Sequence, residues 1–414
     1  MNYELTLQYL YTAAPAFEKV GAGAYKEGLS NTLALDAHIN HPHQHFRTIH
    51  VAGTNGKGST SHTLAAFLQL CGYRVGLYTS PHLVDFTERI RVDGFPIPQQ
   101  YVVDFVEAER EFFEPLCPSF FELTTAMAFK YFAEQHVDIA VIEVGLGGRL
   151  DCTNMITPQL SVITNISFDH TGFLGDTLEK IAAEKAGIIK PGVPVVIGET
   201  TPETRKVFQQ KADEMHAPIV FAEDHDRVYP SLLEDFVLKG SYQVANLNTI
   251  LNAINVFSRV TDLVVSKALI PEALQFVVSL TGLRGRWEVI RHEPLVICDT
   301  GHNLAAWEYL APDIKATASQ CGGTLHIVFG MVDDKDVCSV LALLPKEARY
   351  YFTQADTHRA IPSVTLAEMA SHCDLQGTAY PTVKDAYNAA LAASAPRDFI
   401  FVGGSSYVVA DFLS

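Results

Sequence analysis

The chain has 414 residues, of which 48% are hydrophobic, and its formal net charge is −17 at pH 7. This length exceeds the size at which one hydrophobic core usually stops growing, so two domains are expected. The acidic balance argues against nucleic acid or an anionic membrane surface as a partner. The start of the chain lacks signal-peptide features, no window is apolar enough to span a bilayer, and the seven cysteines lack paired spacing. We therefore expect a cytoplasmic protein.

The most informative segment is Thr48-Ile-His-Val-Ala-Gly-Thr-Asn-Gly-Lys-Gly-Ser-Thr60, in which an apolar run leads into a glycine-rich loop with one lysine. Glycines let backbone N–H groups approach an anion, and Lys57 adds a positive charge. A helical repeat follows, comprising Leu64, Phe67, Leu68 and Cys71 with a C-cap at Gly72. The order of strand, loop and helix predicts a phosphate-binding P-loop, although Val51 and Gly58 depart from the common pattern.

From Thr48 onward, strand-like apolar runs alternate with periodic helical segments, which indicates a mostly parallel sheet covered on both faces. The predicted strands are Thr48–Ala52, Val75–Thr79, Asp138–Val144, Leu160–Asn165, Val193–Ile197 and Ile219–Ala222. The predicted helices are Tyr101–Phe113, Glu122–Gln135, Leu178–Gly187 and Val244–Val260. We predict an α/β fold whose first domain, residues 1–285, is a P-loop-containing, doubly wound sheet.

Polar side chains collect where these strands end, which is where ligands bind in doubly wound sheets. Ser80, Glu143 and His170 each follow or end a different strand, and together they form a candidate Mg²⁺ site. Taken singly, they have ordinary alternatives as a turn residue, an ion-pair member and a core histidine. A partly desolvated lysine has a lowered pKa, and its neutral amine can react with carbon dioxide. Lys185, on the helix that follows, would then become a metal ligand.

A charged, glycine-containing connector, Leu280–Trp287, separates this series from a second one. The second series has predicted strands at Leu295–Cys298, Thr324–Phe329, Arg349–Thr353 and Asp398–Val402, with helices starting near Asn303, Val337, Thr365 and Val383. It predicts a smaller, Rossmann-like α/β domain over residues 286–414.

Several short motifs follow one another along the chain. They are Ala52-Gly-Thr-Asn-Gly-Lys-Gly-Ser-Thr60, Thr79-Ser-Pro-His82, Glu88-Arg-Ile-Arg91, Glu143-Val-Gly-Leu-Gly-Gly-Arg-Leu-Asp151, Asp169-His170, Glu184-Lys-Ala-Gly-Ile-Ile-Lys190, Asp299-Thr-Gly-His-Asn303 and Phe329-Gly-Met-Val-Asp-Asp-Lys-Asp336. With them the chain closely resembles, over nearly its whole length, the folylpolyglutamate synthase/dihydrofolate synthase family of the ATP-dependent Mur ligase superfamily.

This resemblance implies an enzyme that adds L-glutamate to dihydropteroate or to the glutamate tail of reduced folates through an acyl phosphate, releasing ADP and phosphate. It implies ATP contacts by Asn55, Gly56, Lys57, Gly58, Ser59, Asn246, Arg286 and Asp299. It implies two Mg²⁺ sites formed by Ser80, Glu143, His170 and a carbamylated Lys185, with K⁺ as a further candidate. Pterin contacts would come from Phe121, Glu122, Leu123, Thr124, Arg149, Leu150 and Asp151, and catalytic roles from Lys57, His170, Lys185, Asp299 and His302. We expect small-molecule partners only and a monomer.

Two motifs depart from the family pattern. Asp299-Thr-Gly-His-Asn303 replaces the usual Asp-Gly-Ala-His-Asn, and Leu283-Arg-Gly-Arg286 replaces Pro-Gly-Arg. Both keep the polar side chains of Asp299, His302, Asn303 and Arg286. We therefore expect altered backbone geometry with retained activity.

Several questions stay open from the sequence alone. A nucleotide-dependent switch, a cell-wall Mur enzyme and a small-molecule kinase are alternatives; the second domain argues against the first, and the roughly 47 residues before the loop argue against the second. The sequence does not decide between adding the first glutamate, extending the tail and doing both, and it does not identify the base. Arg149, Lys335 and Arg359 are candidate charges for the anionic substrates, and Phe120 and Phe121 are candidates for stacking on a pterin.

Overall fold

The computed structural model describes residues 1–13, 28–333 and 336–414. This part of the chain forms two compact units. The first consists of Met1–Val237 with Val244–Leu283, and the second of Leu238–Gln243 with Arg284–Ser414. The chain thus enters the second unit briefly and returns before it crosses again, which the sequence pattern does not indicate.

The first unit is built on one eight-stranded sheet. Its strands are β1 (Arg47–Ala52), β2 (Val75–Tyr78), β3 (Ile90–Val92), β4 (Phe95–Pro96), β5 (Ile139–Glu143), β6 (Leu160–Ile163), β7 (Val195–Ile197) and β8 (Ile219–Phe221). Their order is β4-β3-β2-β5-β1-β6-β7-β8, and the pairs from β2 to β8 are parallel. The central strands are buried on both faces, which is why they are continuous apolar runs without alternation.

The strands β3 and β4 form an antiparallel hairpin that our sequence analysis did not predict. The signal was present in the turn, because the pair Asp93-Gly94 directly follows a short run that contains Ile90 and Val92. Both turn residues have a positive φ, 51° and 79°. Asp-Gly is a preferred pair at such a turn, since its twist matches that of the flanking strands.

Helices cover the sheet of the first unit. They are α1 (Tyr3–Ala13), α2 (Ser30–His38), α3 (Lys57–Leu70), α4 (Gln99–Phe113), α5 (Phe120–Glu134), α6 (Thr171–Leu174), α7 (Leu178–Ala186), α8 (Pro202–Glu214), α9 (Pro230–Asp235), α10 (Gln243–Val260) and α11 (Ile270–Thr281). Residues 59–68 of α3 are all buried, and this helix packs against α11, β2 and β5. The helix that follows the P-loop is therefore held rigidly from several sides.

The second unit has a six-stranded sheet. Its strands are β9 (Glu288–His292), β10 (Leu295–Asp299), β11 (Leu325–Phe329), β12 (Arg349–Phe352), β13 (Gly377–Ala379) and β14 (Phe399–Gly403), in the order β13-β12-β11-β14-β10-β9. Only β9 is antiparallel to its neighbour. Its helices are α12 (Leu304–Cys321), α13 (Val337–Leu343), α14 (Ser363–Ser371), α15 (Val383–Ala392) and α16 (Ser406–Leu413). Trp307 is fully buried against Phe329 and Phe401.

The predicted fold class, an α/β protein with mostly parallel sheets, is confirmed. The edge strands β9 and β13 were not predicted, because their exposed, mixed composition lacks the apolar runs of the central strands. None of the helices in the described ranges is both long and apolar enough to cross a membrane.

Candidate active site

The P-loop joins the end of β1 to the start of α3. Gly56 is the N-cap of α3 in a left-handed conformation, with a φ of 84°, and Lys57 is its first residue. A Cβ added to Gly56 would lie 2.1 Å from Oδ1 of Asn246, and one added to Gly53 would lie 1.8 Å from Oγ1 of Thr164. The loop backbone therefore packs directly against α10 and the segment after β6, with no space for a side chain at Gly53 or Gly56.

The first turn of α3 contains Gly58 and Ser59, and Ser59 is 1% exposed. N–H groups in the first turn of a helix have no acceptor within the helix and point out of its amino end. Together with the helix dipole, they favour a bound anion. The predicted phosphate-binding geometry of strand, glycine loop and helix is thus present.

Two lysines that are distant in sequence meet at one oxygen of this loop. Nζ of Lys57 donates to the carbonyl oxygens of Gly53 and Thr54, each at 3.1 Å. Nζ of Lys185, on α7, donates to the same Gly53 oxygen at 2.9 Å. Lys185 is 5% exposed. Burial and the nearby charge of Lys57 lower the pKa of Lys185 from 10.5 to about 7, so much of its amine is neutral at physiological pH.

The predicted metal ligands lie at the same edge of the sheet as the P-loop. Glu143 is the last residue of β5, is 4% exposed, and is in register with Val51, the residue next to the end of β1. Ser80 lies two residues beyond β2, and His170 lies seven residues beyond β6. Because β2, β5, β1 and β6 are adjacent and parallel, their carboxyl ends bring these positions to one edge.

His170 has a left-handed backbone, with a φ of 49°, at the start of α6. Its Nε2 lies 3.8 Å from Oδ1 of Asp169, whose same oxygen accepts the His170 backbone N–H at 2.8 Å. Such a conformation is uncommon outside glycine and is often found at functional sites. The Asp169 carboxylate thus lies beside the imidazole of His170.

The segment after β6 holds the P-loop in place, and sequence reasoning missed its role. Oγ1 of Thr164 donates to the Asn55 carbonyl at 2.5 Å, and Oδ1 of Asn165 accepts the Asn55 N–H at 3.0 Å. The Ser167 N–H donates to Oγ1 of Thr54 at 3.1 Å. Within the described residues the Ser167 hydroxyl is buried without a hydrogen-bond partner. The available signal was the run of polar residues after β6, in which our prediction considered only Asp169 and His170.

The residues of α5 that we predict to contact a pterin mostly form contacts within the protein. The Glu122 carboxylate accepts the Ser119 N–H at 2.6 Å as part of a capping box, which also explains why α5 begins earlier than predicted. Leu123 is 1% exposed, in the core. The Thr124 hydroxyl forms a hydrogen bond with the hydroxyl of Tyr78 at 2.9 Å.

Two aromatic residues were proposed to stack on a pterin. The Phe121 ring stacks on Tyr78, with centroids 5.7 Å apart, and lies where a Cβ on Gly145 would be. The neighbouring Phe120 is 3% exposed and stacks on Tyr11. Phe120 is therefore a core residue, and Phe121, which is half-buried, lies beside the loop that follows β5.

The loop after β5 is folded by a buried carboxylate. Asp151 is 5% exposed and accepts the N–H groups of Gly145 at 3.0 Å and Leu146 at 2.8 Å. It also accepts the N–H and the hydroxyl of Thr153, at 3.0 and 2.5 Å. Burial raises the pKa of this carboxyl group. Asp151 thus closes the loop on which Arg149 and the half-buried Leu150 lie.

Two of the three candidate charges for anionic substrates lie in the described ranges. Arg149 is exposed and forms an ion pair with Glu184 at 2.9 Å. Arg359 is 9% exposed, and its Nη1 donates to the hydroxyl of Tyr407 at 3.3 Å. Lys335 lies outside the described residues. Of the two arginines, only Arg149 is exposed enough to meet a ligand without rearrangement.

In the second unit, Asp299 ends β10 and joins three segments. Its carboxylate, 3% exposed, accepts the Tyr242 hydroxyl at 2.6 Å, the Trp287 N–H at 2.7 Å and the Gly301 N–H at 2.8 Å. Burial raises the pKa of Asp299 and also that of Tyr242. Asp299 therefore explains why the segment containing Tyr242 belongs to this unit.

The departure from the family pattern at Thr300 and Gly301 has a structural explanation. The Thr300 hydroxyl donates to the Gly285 carbonyl at 3.1 Å and accepts a hydrogen bond from Nη1 of Arg286. A Cβ on Gly301 would lie 2.4 Å from Cδ1 of Leu310. The extra hydroxyl thus anchors Arg286, and the next position has no free space for a side chain.

The next two residues, His302 and Asn303, immediately precede α12. The His302 ring forms a hydrogen bond through Nδ1 with the Thr300 carbonyl at 3.1 Å. Because a carbonyl only accepts, Nδ1 carries the proton in this contact and Nε2 is the basic ring nitrogen. The Asn303 side chain caps α12 by accepting the Ala306 N–H at 3.0 Å.

Substituting Gly56 tests the close packing of the P-loop. We expect Gly56→Ala to weaken ADP binding and to cost about 1–3 kcal/mol of stability through overpacking against Asn246, in addition to left-handed strain. Gly72→Ala is the matched control, since Gly72 has a φ of 88° with nothing within 4 Å of its added Cβ. Calorimetric ADP titration and thermal melts measure both effects. Equal losses in the two variants would show that the contact with Asn246 has no role.

The fold and this site define a nucleotide-binding protein of two α/β units. The family model of the Mur ligase middle domain matches residues 51–236, and that of the Mur ligase glutamate ligase domain matches residues 285–406. The dihydrofolate synthase/folylpolyglutamate synthase of Bacillus subtilis (strain 168) is 32% identical over 93% of this chain and 94% of its own length.

Solved structures of the same family are also similar to this chain. E. coli FolC in complex with DHPP and ADP has a TM-score of 0.84 and 30% identity, covering 100% of this chain and 97% of that one. A bifunctional folylpolyglutamate synthase/dihydrofolate synthase with Mn, AMPPNP and L-glutamate bound also has a TM-score of 0.84, with 28% identity over 100% of this chain and 97% of that one. The chain belongs to the Mur ligase family, and within it to the dihydrofolate synthases/folylpolyglutamate synthases.

Proposed function

We propose that this protein is an ATP-dependent ligase that adds L-glutamate both to dihydropteroate and to the glutamate tail of reduced folates. The observation that carries this proposal is the meeting of Lys57 and Lys185 at the Gly53 carbonyl, on a P-loop whose sheet edge also holds Glu143. Two amines and a buried carboxylate around a phosphate loop suit phosphoryl transfer, which depends on positioning and electrostatics. The substrates that we propose follow from the relatives, which include a dihydrofolate synthase/folylpolyglutamate synthase and a FolC solved with DHPP and ADP.

The residues at the sheet edge fit ATP and a divalent metal. Gly56 is the N-cap of the helix α3 in a left-handed conformation that glycine adopts without strain, and the buried Ser167 hydroxyl lacks a partner among the described residues. Ser80 and Glu143 offer the oxygen ligands that Mg²⁺ prefers. We propose one Mg²⁺ held by Ser80, Glu143 and His170 and a second held by His170 and carbamylated Lys185, with K⁺ as a further candidate cation. When bound, Mg²⁺ would neutralise charge on the phosphates.

The proposed reaction has two steps, because a carboxylate and an amine do not condense in water without activation. A carboxylate oxygen of the substrate attacks the γ-phosphorus of ATP, forming an acyl phosphate and releasing ADP. The amine of glutamate then attacks the acyl carbon, the C–N bond forms, and the C–O bond to phosphate breaks. Lys57 would stabilise the charge that develops on the transferring group.

The glutamate ammonium must lose a proton before it can attack. We propose His302 as the base, since its Nδ1 contact with the Thr300 carbonyl directs the basic lone pair to Nε2. The alternative, Asp299, accepts three hydrogen bonds from its own unit and is buried. Those contacts favour a role for Asp299 in shaping the site.

We further propose that residues 1–285 bind ATP and the pterin substrate and that residues 286–414 present glutamate. Under this proposal, Asn246, Arg286 and the P-loop residues contact ATP, while Phe121 and Arg149 contact the pterin substrate. We also propose a monomer that acts in the cytoplasm. The seven cysteines form no disulfide, as is typical of a reducing compartment.

An assay with separate acceptors tests the proposed function. Dihydropteroate and tetrahydrofolate are each offered with ATP, Mg²⁺ and L-glutamate, and products are identified by mass. We expect both acceptors to gain glutamate, with ADP release that requires acceptor and glutamate together. ATP hydrolysis indifferent to both would indicate a nucleotide switch, and a stable phosphorylated acceptor would indicate a kinase. Glutamate addition to only one acceptor would disprove the dual specificity.

A further inference from the structure

A cluster of metal-ligating side chains lies outside the candidate active site, in the segment between α2 and β1. Nδ1 of His41 lies 2.6 Å from Oδ2 of Asp36, and Nδ1 of His43 lies 2.7 Å from Oδ1 of the same carboxylate. One ligand atom from each residue lies within 4.8 Å of the others. Three side chains close together in sequence thus converge on one point.

The backbone of this segment is shaped to bring the two imidazoles over the carboxylate. Asn40 and His41 both have left-handed conformations, with φ values of 63° and 51°. The His41 N–H donates to the Asp36 carbonyl at 2.8 Å, which closes the turn, and the buried Pro42 anchors it. Two successive non-glycine residues in this conformation are uncommon, although Asn and His adopt it more often than most residues.

The electrostatics of the cluster favour a cation. Asp36 is 4% exposed, and its hydrogen-bond partners in the described part of the chain are the two imidazoles, which carry charge only if protonated. A buried carboxylate is stable when it is paired with positive charge or coordinates a metal. The His41 side chain is 52% exposed, so the cluster is open to solvent on that side.

We propose that Asp36, His41 and His43 form a binding site for a divalent first-row transition metal ion, such as Zn²⁺. One carboxylate and two imidazoles suit such an ion, whereas Mg²⁺ prefers oxygen ligands only. Ligand distances of about 2.0–2.2 Å place tetrahedral ligand atoms about 3.3–3.5 Å apart. The two hydrogen bonds would therefore open by less than about 1 Å, and in each neutral imidazole the proton would move from Nδ1 to Nε2 as Nδ1 binds the metal. Water would fill the fourth position.

The proposed site is separate from the P-loop. The cluster precedes the amino end of β1, and the P-loop follows its carboxyl end, so the six residues of the strand separate them by about 20 Å. A metal bound here would hold the turn between α2 and β1 closed. We therefore expect it to contribute to stability and not to the ligase chemistry.

Zinc titration of matched variants tests the proposal. The untagged full-length protein is freed of transition metals, saturated with Mg²⁺ and ADP, and titrated calorimetrically with Zn²⁺. His41→Asn removes one ligand, and Asn tolerates the left-handed backbone at that position. His45→Asn is the control, because His45 is an exposed imidazole in the same segment outside the cluster.

We expect one Zn²⁺ bound per chain, with an affinity that is unchanged in His45→Asn and at least about tenfold weaker in His41→Asn. Zn²⁺ should also raise the melting temperature of the wild type and of the control more than that of His41→Asn. Replacing Zn²⁺ by Co²⁺ should produce a visible absorption band that only His41→Asn loses. Absence of binding, or equal affinity in His41→Asn and His45→Asn, would overturn the proposal. ADP formation is measured in a separate assay, so an absence of Zn²⁺ binding would not contradict the proposed ligase function.

Discussion

Replacing Lys57 by methionine is expected to lower the rate of ADP formation by about 10²- to 10³-fold. Lys57 is the first residue of α3, and its ammonium group donates hydrogen bonds to the carbonyl oxygens of Gly53 and Thr54. The group is therefore oriented before ATP binds. Methionine keeps the length of the side chain and removes its charge. The loss should appear mainly in kcat, because the charge stabilises the transferring phosphoryl group more than the bound nucleotide.

The chain offers a matched control in Lys180. This lysine lies on α7, is 62% exposed, and pairs with Asp176 at 2.7 Å on the surface. Lys180→Met should leave ADP formation within about twofold of the wild type, because exposed ion pairs contribute little. A Lys57→Met enzyme with near wild-type turnover would show that the loop does not use this charge.

Replacing Lys185 by alanine is expected to reduce turnover as severely as the Lys57→Met change, with partial recovery when short carboxylic acids are added. The reason is the buried amine at the Gly53 carbonyl, whose pKa is lowered to about 7 and which can therefore accept carbon dioxide. A carboxylic acid that enters the space left by the side chain would restore the missing oxygen ligand. Steady-state ADP formation measures both the loss and the recovery.

The pH dependence of Lys185 has a defined sign. Below about pH 7 its amine is protonated and cannot form a carbamate, so wild-type activity should rise as the pH increases through 7. Because the unfolded chain binds this proton up to about pH 10.5, the shift destabilises the folded protein most below pH 7. In buffer depleted of carbon dioxide, Lys185→Met should therefore melt higher than the wild type at pH 6.

Two observations would contradict the role of Lys185. The first is an intact mass of the active wild type that lacks the addition of one carbon dioxide under conditions that preserve carbamates. The second is a Lys185→Ala enzyme whose loss of activity is not recovered by any small acid. Lys180→Ala again serves as the control, since its exposed amine on the same helix should respond to neither treatment.

The coupling between the two lysines provides an additional check. The charge of Lys57 is one of the causes that lower the pKa of Lys185. Removing that charge should raise the pKa of Lys185 and reduce its neutral fraction at pH 7. The pH at which Lys185 becomes modified should therefore shift upward in Lys57→Met, whereas it should not shift in Lys180→Met.

The sequence by itself determined the features that depend on short-range forces. Alternating apolar runs and helical periods indicated the α/β class, because burial on a sheet or helix imposes a fixed period on the chain. The glycines and the lysine of the P-loop were recognisable because a phosphate loop needs backbone freedom at fixed spacing. Asn303, a good N-cap residue at the predicted start of α12, is a further local feature that the structure contains.

Only the tertiary structure decided which distant groups meet. Lys185 and Gly53 are 132 residues apart, and their contact depends on how α7 packs against the sheet. In the folded chain Asp151 is also committed to its own loop, and the segment after β6 supports Asn55. Periodicity reports which face of an element is buried but not which partner lies opposite. Distances, burial and pKa shifts therefore follow from the three-dimensional arrangement alone.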